Sequence, residues 1–336
     1  MTVRFIAQAS IPAFKATADV QGLRDFVTAA EQNGFDGVAL PDAVQGQDAI
    51  VLASCILHST TDLGVAAAHD AGLVAPDVAA QQIATLDRLS GGRLTIAVIE
   101  NGTQNHEERQ GRLDEYLVLL KRLWTNDEPF DHEGRYYRLA GALTTAKPYR
   151  DGRVPVLLGG FSGLATKVAA RHADIFALPA STVAASALAV ERVRRAAANH
   201  GRAATIRFSY PLRAVIGRSK AEAWAIAARA APGGDPRDSW IDTGRLRGLA
   251  AGQGPLANPP TLIAGTPEQV ALAVLDYHAV GISDFVMHGF ATAADAAAFG
   301  RHVIPLVRNS DRYRSTIAND LAAKLPPRDL PWTRHN

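Results

Sequence analysis

Residues 154–178 read VPVLLGGFSGLATKVAARHADIFAL. An apolar run without charges leads into a glycine turn, then a helical pattern, then a second apolar run. The turn Gly159-Gly160-Phe161-Ser162-Gly163 stands where a strand ends and a helix begins. Backbone N–H groups at a helix start bind anions without any charged side chain. The stretch therefore predicts a strand–helix–strand unit whose turn faces a phosphate-bearing ligand, in the first instance a cofactor.

The same alternation extends in both directions. Short runs rich in Val, Ile, Leu and Ala occur at Arg4–Ala9, Gly37–Leu40, Leu63–Ala67, Leu94–Ile99, Val154–Leu158, Asp174–Leu178, Ile206–Ile216 and Asp284–His288. Helical patterns such as PDVAAQQIATLDRLS and TPEQVALAVLDYHAVG lie between them. Thr266 is placed as an N-cap with Pro267 at the first helical position. Near-continuous apolar strands alternating with helices indicate a parallel sheet covered on its faces. Eight of them favour a single TIM (β/α)8 barrel over residues 1–336 rather than an open sheet. Two insertions interrupt the rhythm. Residues 126–150 carry turn residues and aromatics and suggest a small hairpin or an irregular excursion. Residues 232–260, rich in Gly, Pro, Asp and Arg, suggest a lid.

Composition removes several classes of function. Formal net charge is +2 over 336 residues, with no basic stripe to grip nucleic acid. No apolar run approaches the roughly 18–20 residues of a membrane span. The opening MTVRFIAQASIPAF reads as a first strand rather than a signal peptide, so the cytoplasm is the expected location. Cys55 is the single cysteine; its apolar surroundings, AIVLASCILHS, predict a buried structural thiol. No pair of histidines at helical spacing with an intervening Glu suggests a metal site.

Several longer stretches carry a family resemblance. ATLDRLSGGRLTIAV (84–98), GRLDEYLVLLKRLW (111–124), FDHEGRYYRLAGA (130–142) and KPYRDGRVPVLLGGFSGLATKVAARHADIFAL (147–178) resemble, in order, the luciferase-like flavin-dependent monooxygenases. The layout of residues 201–224 and 262–290 is similar to the alkanesulfonate monooxygenase branch. The resemblance implies a barrel with its cofactor site at the C-terminal mouth. It implies reduced FMN, supplied by a partner reductase, and O2 as reactants with a small organic substrate. It also implies a homo-oligomer, dimer or tetramer. A second branch implies a deazaflavin coenzyme and hydride transfer without O2. A third reading, of another class, is a catalytically silent barrel acting as a binding protein.

Carried over by position, Gly160, Ser162 and Gly163 would contact the cofactor phosphate. Arg112 and Tyr116 would face it from the helix after the fourth strand. Asn101 or Thr103 would bond the ring edge or ribityl chain. His69, His288 and Arg213 are the candidate catalytic groups, because strand ends converge at a barrel mouth and histidine moves protons near neutral pH. Gln8, Ser10 and Asp42 also end strands. Phe14, Phe161, Phe290 and Trp240 would supply an apolar wall. Relatives carry a non-prolyl cis bond on the third strand, which here would fall within Ala66–His69. In YPLRAVI, Pro211 and Arg213 stand where the sulfonate branch has Arg and His, which argues against a sulfonate substrate.

Overall fold

The computed structural model describes residues 2–9, 20–40, 48–101, 105–150, 152–160, 162–230, 240–241, 245–246 and 260–310. Its first half runs β1 (Arg4–Gln8), α1 (Val20–Gln32), β2 (Gly37–Leu40), α2 (Ala49–Ser59), β3 (Gly64–Asp70), α3 (Pro76–Leu89), β4 (Leu94–Ile99) and α4 (His106–Thr125). A hairpin, β5 (Phe130–Glu133) and β6 (Arg138–Ala142), precedes β7 (Val156–Gly159), α5 (Gly163–His172), β8 (Ile175–Ala177) and α6 (Val183–Ala198). Next come β9 (Arg207–Ile216), α7 (Lys220–Ala230), β10 (Trp240–Ile241), β11 (Arg245–Leu246) and β12 (Thr261–Gly265). The described chain ends with α8 (Pro267–Ala279), β13 (Asp284–Met287), α9 (Ala293–His302) and α10 (Ile304–Arg308).

The eight runs expected as strands are the eight staves of a closed parallel barrel, in the order β1-β2-β3-β4-β7-β8-β9-β13 and back to β1. Side chains alternate in and out along each strand. The register therefore brings Ile6, Ala39, Ala66, Ala97, Leu157, Ile175, Ala177 and Val286 into one interior cluster. Half of these are alanines, so the wall closes tightly. At the base of the lumen, between Ile6, Ala66, Leu157 and Asp284, lies a cavity of about 30 Å3, room for roughly one water.

The outward strand residues pack under the helices in a second, larger core. Local signals set the helix ends as expected: Thr266 caps α8 in a capping box with Gln269, and Pro267 follows it. The expectation for Cys55 is corrected, because its residue is exposed. Helix α2 buries Ala49, Ala53, Ile56 and Leu57. Cys55 lies one turn after the exposed Val51, on the opposite stripe. Apolar residues all round this helix hid its outer side. The peptide bonds of Ala66–His69 are trans, like the others among the described residues, so the strained bond implied by the resemblance is absent there. Among the described residues no helix is long and apolar enough to cross a membrane, and no cluster of His, Cys, Asp or Glu could hold a metal ion.

Two polar knots hold the barrel where strands must meet. Stacked Tyr210 and Tyr277, with ring centroids 4.4 Å apart, both reach Ser181 O, at 2.6 and 2.7 Å. Tyr210 also contacts Thr261 Oγ1 at 2.6 Å, which ties β9, β12 and α8 to the loop after β8. At the base, fully buried Asp284 accepts from Arg207 at 3.1 Å and from Ser283 Oγ at 2.6 Å, and lies 3.5 Å from Arg4. This joins β13 to its two neighbours, β9 and β1. Removing the carboxylate would leave two guanidinium groups facing each other without compensation. Asp284→Ala is expected to lower stability by about 3 kcal/mol, read as a fall in the midpoint of thermal and urea unfolding.

Candidate active site

The carboxyl ends of the strands form one rim, and three groups of polar residues stand on it. The first is built by β3, β4 and α4. His69 faces outward from β3 and is buried against α4, where its Nε2 lies 2.7 Å from Tyr116 Oη. Burial, only partly offset by Asp70 and Asp48, pushes the imidazole down to about 4, so His69 is neutral at pH 7. Burial likewise pushes the Tyr116 phenol far up. The pair is thus a neutral hydrogen bond under the rim. One turn earlier on α4, Arg112 Nε donates to Tyr137 Oη at 3.0 Å, and its NH1 lies 3.7 Å from Glu100 Oε1. Asp70 Oδ1 accepts from Gly72 N at 2.7 Å and from Asn101 N at 3.4 Å, which fixes the loops after β3 and β4 against each other.

Tyr137 reaches this group because the β5–β6 hairpin docks on α4. Glu115 accepts from Tyr136 N at 3.1 Å and Tyr137 N at 2.9 Å, and contacts His132 Nε2 at 3.0 Å. Burial works against the Glu115 charge, yet these partners hold its carboxyl below the usual value. The β5–β6 turn is thereby clamped, and Tyr137 Oη reaches Ala71 O beyond β3 at 3.4 Å.

The second group is the glycine turn after β7. Gly160 has φ +147°, and a Cβ there would lie 2.5 Å from Ala165 Cβ, so only glycine fits. Ser162 caps α5, its Oγ accepting from Ala165 N at 3.0 Å. The amides of Gly163 and Leu164 therefore have no carbonyl within the helix to donate to. The Ser162 Oγ also lies 2.6 Å from Nε2 of His106, the first residue of α4. Asn105 caps that helix, accepting from Glu108 N at 3.0 Å. Two helix N-termini thus converge on one serine and one histidine, and both dipoles favour an anion there.

The third group stands across the mouth. Ser209 and Pro211 of β9 are in register with the interior residues Ala177 and Val286, so Arg213 continues on the lumen side above them. It is half-buried and has no ion-pair partner among the described residues. His288 follows β13, with its amide donating to Leu212 O at 2.7 Å. Burial, reinforced by Arg213, pushes its imidazole down to about 4. Its Nε2 is buried with no hydrogen-bond partner among the described residues. A buried nitrogen and a neighbouring cation, both without such partners among the described residues, mark a candidate polar site.

The expected residues thus fall into neighbouring sets. Asn101, Arg112, Tyr116 and His69 form one arc. Gly160, Ser162 and Gly163 form the next, and Arg213 with His288 faces them. His69 and Tyr116 are spent on each other, and Phe290 packs with Phe35 and Phe299 in the outer core, away from any ligand wall. Thr103, Ser10, Asp42, Phe14, Phe161, the side chain of Trp240 and most of 232–260 lie outside the described residues. Sequence reasoning missed His106, Tyr137 and Glu115. The first sits directly after a good capping residue, Asn105, a signal that was available. The other two depend on how the hairpin docks.

A model of the luciferase-like monooxygenase family matches residues 1–284, and the chain belongs to that family. Riboflavin lyase, solved with modified FMN and riboflavin, superposes with a TM-score of 0.76 at 19% identity, over 93% of this chain and 92% of that one. EDTA monooxygenase from Chelativorans sp. BNC1 gives a TM-score of 0.76 at 20% identity, over 93% and 95%. The coenzyme F420-dependent tetrahydromethanopterin reductase of Methanopyrus kandleri gives 0.68 at 16% identity, over 90% and 99%. These likenesses establish the barrel common to all four proteins.

The depressed histidines give the fold a pH signature. Each binds a proton more weakly folded, near pH 4, than unfolded, near 6.5. Between those values the unfolded chain holds more protons, so stability is complete above pH 6.5 and falls as the pH drops towards 4. For His69 the full loss is about 3 kcal/mol. Urea midpoints measured from pH 7 to pH 4 should fall, and in His69→Gln the slope of that fall should be shallower.

Proposed function

We propose that this family member is a flavin-dependent monooxygenase that uses reduced FMN and O2 to oxidise a small organic substrate at the barrel mouth. The observation that carries the reading is the meeting of the α4 and α5 N-termini at His106 and Ser162 beside Gly160. The donor set suits a dianionic phosphate: the Gly163 and Leu164 amides, a serine hydroxyl and an imidazole nitrogen. The orphaned Nε2 of His288 suits a polar edge on the opposite side of the same mouth. Similarity to a protein solved with modified FMN supports the choice of cofactor.

In this reading Gly160, Ser162, Gly163 and His106 hold the phosphate end. Asn101, anchored through Asp70, and Arg112, anchored through Tyr137, line the path inward from it. Arg213 supplies a fixed positive charge for an anionic group of the substrate. His288, neutral at pH 7, accepts or donates one hydrogen bond at the reacting end and relays a proton there. The filled alanine-lined lumen below keeps bulk water from reaching the mouth from the base. Reduced FMN, when bound, supplies two electrons, so that one atom of O2 enters the substrate and the other leaves as water. A separate reductase would return the flavin to its reduced form.

The same fold serves an F420-dependent reductase, so hydride transfer from a deazaflavin is the second reading. Anaerobic titration with reduced FMN and with F420, followed by admission of O2, separates the two. Tight binding of FMN with O2 consumption is expected; preference for F420 with no O2 consumption selects the second reading, and binding of neither overturns both. Ser162→Ala should weaken FMN binding about tenfold by removing one phosphate donor. Arg213→Gln should leave that affinity within about twofold, because β9 stands two staves round the ring from the glycine turn after β7 and its charge serves the substrate.

A further inference from the structure

A second concavity opens on the amino-terminal face of the barrel, away from the mouth. It has a volume of about 340 Å3, at the lower end of the range for small-molecule sites. The C-terminal turn of α4, the segment leading into β7 and the start of β8 form its walls. Four cationic side chains line it, Lys121, Arg122, Arg153 and Arg202, against one carboxylate, Asp174. Trp124 and Val154 add apolar surface. The four residues of β7 separate this face from the glycine turn by roughly 13 Å.

We propose that this basic cavity is a binding site for the phosphate monoester of a compact metabolite, distinct from the site at the mouth.

The single carboxylate is already committed. Asp174 accepts from Val156 N at 2.9 Å and from Arg202 at 3.0 Å. The competing explanation is that the cations merely cap helix ends, since Lys121 Nζ donates to His172 O at 2.9 Å and Arg202 donates to Ala173 O at 2.5 Å. That accounts for part of two side chains. The end of α4 is capped instead by Lys147, which donates to Leu123 O and Asn126 O. Arg122 and Arg153 are then surplus. Arg122 lies with its guanidinium carbon 3.7 Å from the centroid of Phe130, which covers its face and leaves its edge free to donate. Arg153 is exposed and has no ion-pair partner among the described residues.

Two further signs mark the cluster as under-compensated. The buried Nε of Arg202 has no acceptor among the described residues. Lys121 is pushed down to about 8, chiefly by burial; Asp174 acts against the shift, and repulsion from Arg202, Arg153 and Arg171 adds to it. A phosphate dianion would relieve the repulsion and accept from several donors at once. Guanidinium edges on two walls favour a tetrahedral oxyanion over a single carboxylate. The volume and the apolar surface call for an organic group attached to it.

Isothermal titration of the full chain with ribose 5-phosphate, with ribose as the neutral control, tests the assignment. Saturable binding of the phosphate ester alone is expected. Arg153→Gln and Lys121→Gln should each weaken it about tenfold, and Ser162→Ala should leave it unchanged. Lys121 is half-buried, so its variant is first checked for folding by circular dichroism; Arg153 is exposed, and its variant carries the test alone if the other unfolds. The Lys121 ε-carbon resonance followed across pH should titrate higher when the ester is present. No saturable binding at millimolar concentration, equal binding of ribose, or loss in Ser162→Ala with Arg153→Gln unaffected would each overturn the proposal. The last result would place the ester at the mouth.

Discussion

Closing eight parallel strands puts all their carboxyl ends on one rim and all their amino ends on the other. The remaining features of this protein follow from that constraint. Four of the eight residues in the central interior layer are alanines, and the cavity beneath them at the base holds about one water's volume. The barrel axis is then packing rather than passage. Chemistry is left to whatever the loops and helix starts present at the rim, and those are brought together by closure, not by nearness in the chain. His288 and Arg213 meet because β13 and β9 are neighbours in the ring, although 75 residues separate them in sequence.

Helix α4 links the two ends. Its 20 residues span roughly 30 Å, from one rim to the other. The first turn carries His106 to Ser162, and the next turns give Arg112, Glu115 and Tyr116. Glu115 is the clamp for the hairpin, so the position of Tyr137 at the mouth depends on a carboxylate that touches no ligand-facing group itself. The last turn gives Lys121, Arg122 and Trp124 to the basic cavity on the opposite face. A rigid element shared in this way holds the helical parts of both surfaces in a fixed relation.

The stretch with the most recognisable spelling, LDRLSGGR, lies on the amino-terminal face away from the mouth. Arg93 donates to Leu57 O at 2.6 Å, to Leu63 O at 3.1 Å and to Ser90 O at 2.9 Å, joining the ends of α2 and α3 before β4 begins. Asp87 accepts from Tyr149 N at 2.8 Å and holds the segment that enters β7. These residues build the barrel. They identify the family through its architecture and say little about its chemistry. The glycine turn after β7 carries chemistry and architecture together, since Gly160 is required by backbone geometry and Ser162 by helix capping.

Local pattern alone determined much of this protein. Eight apolar runs of strand length, the cap at Thr266, and the glycine turn were legible because each rests on contacts within a few residues. The sequence also placed His288 at a strand end and Arg213 within a strand. Only the tertiary structure decided which strand-end residues face the lumen and which face a helix. His69 turned outward to Tyr116 because side-chain direction alternates with strand register, and register depends on the neighbouring strand. Cys55 turned to the surface because an evenly apolar helix does not declare its buried side. The pairing of His106 with Ser162, the docking of Tyr137 and the gathering of Lys121, Arg122, Arg153 and Arg202 depend on long-range closure. No spacing in the chain encodes these meetings.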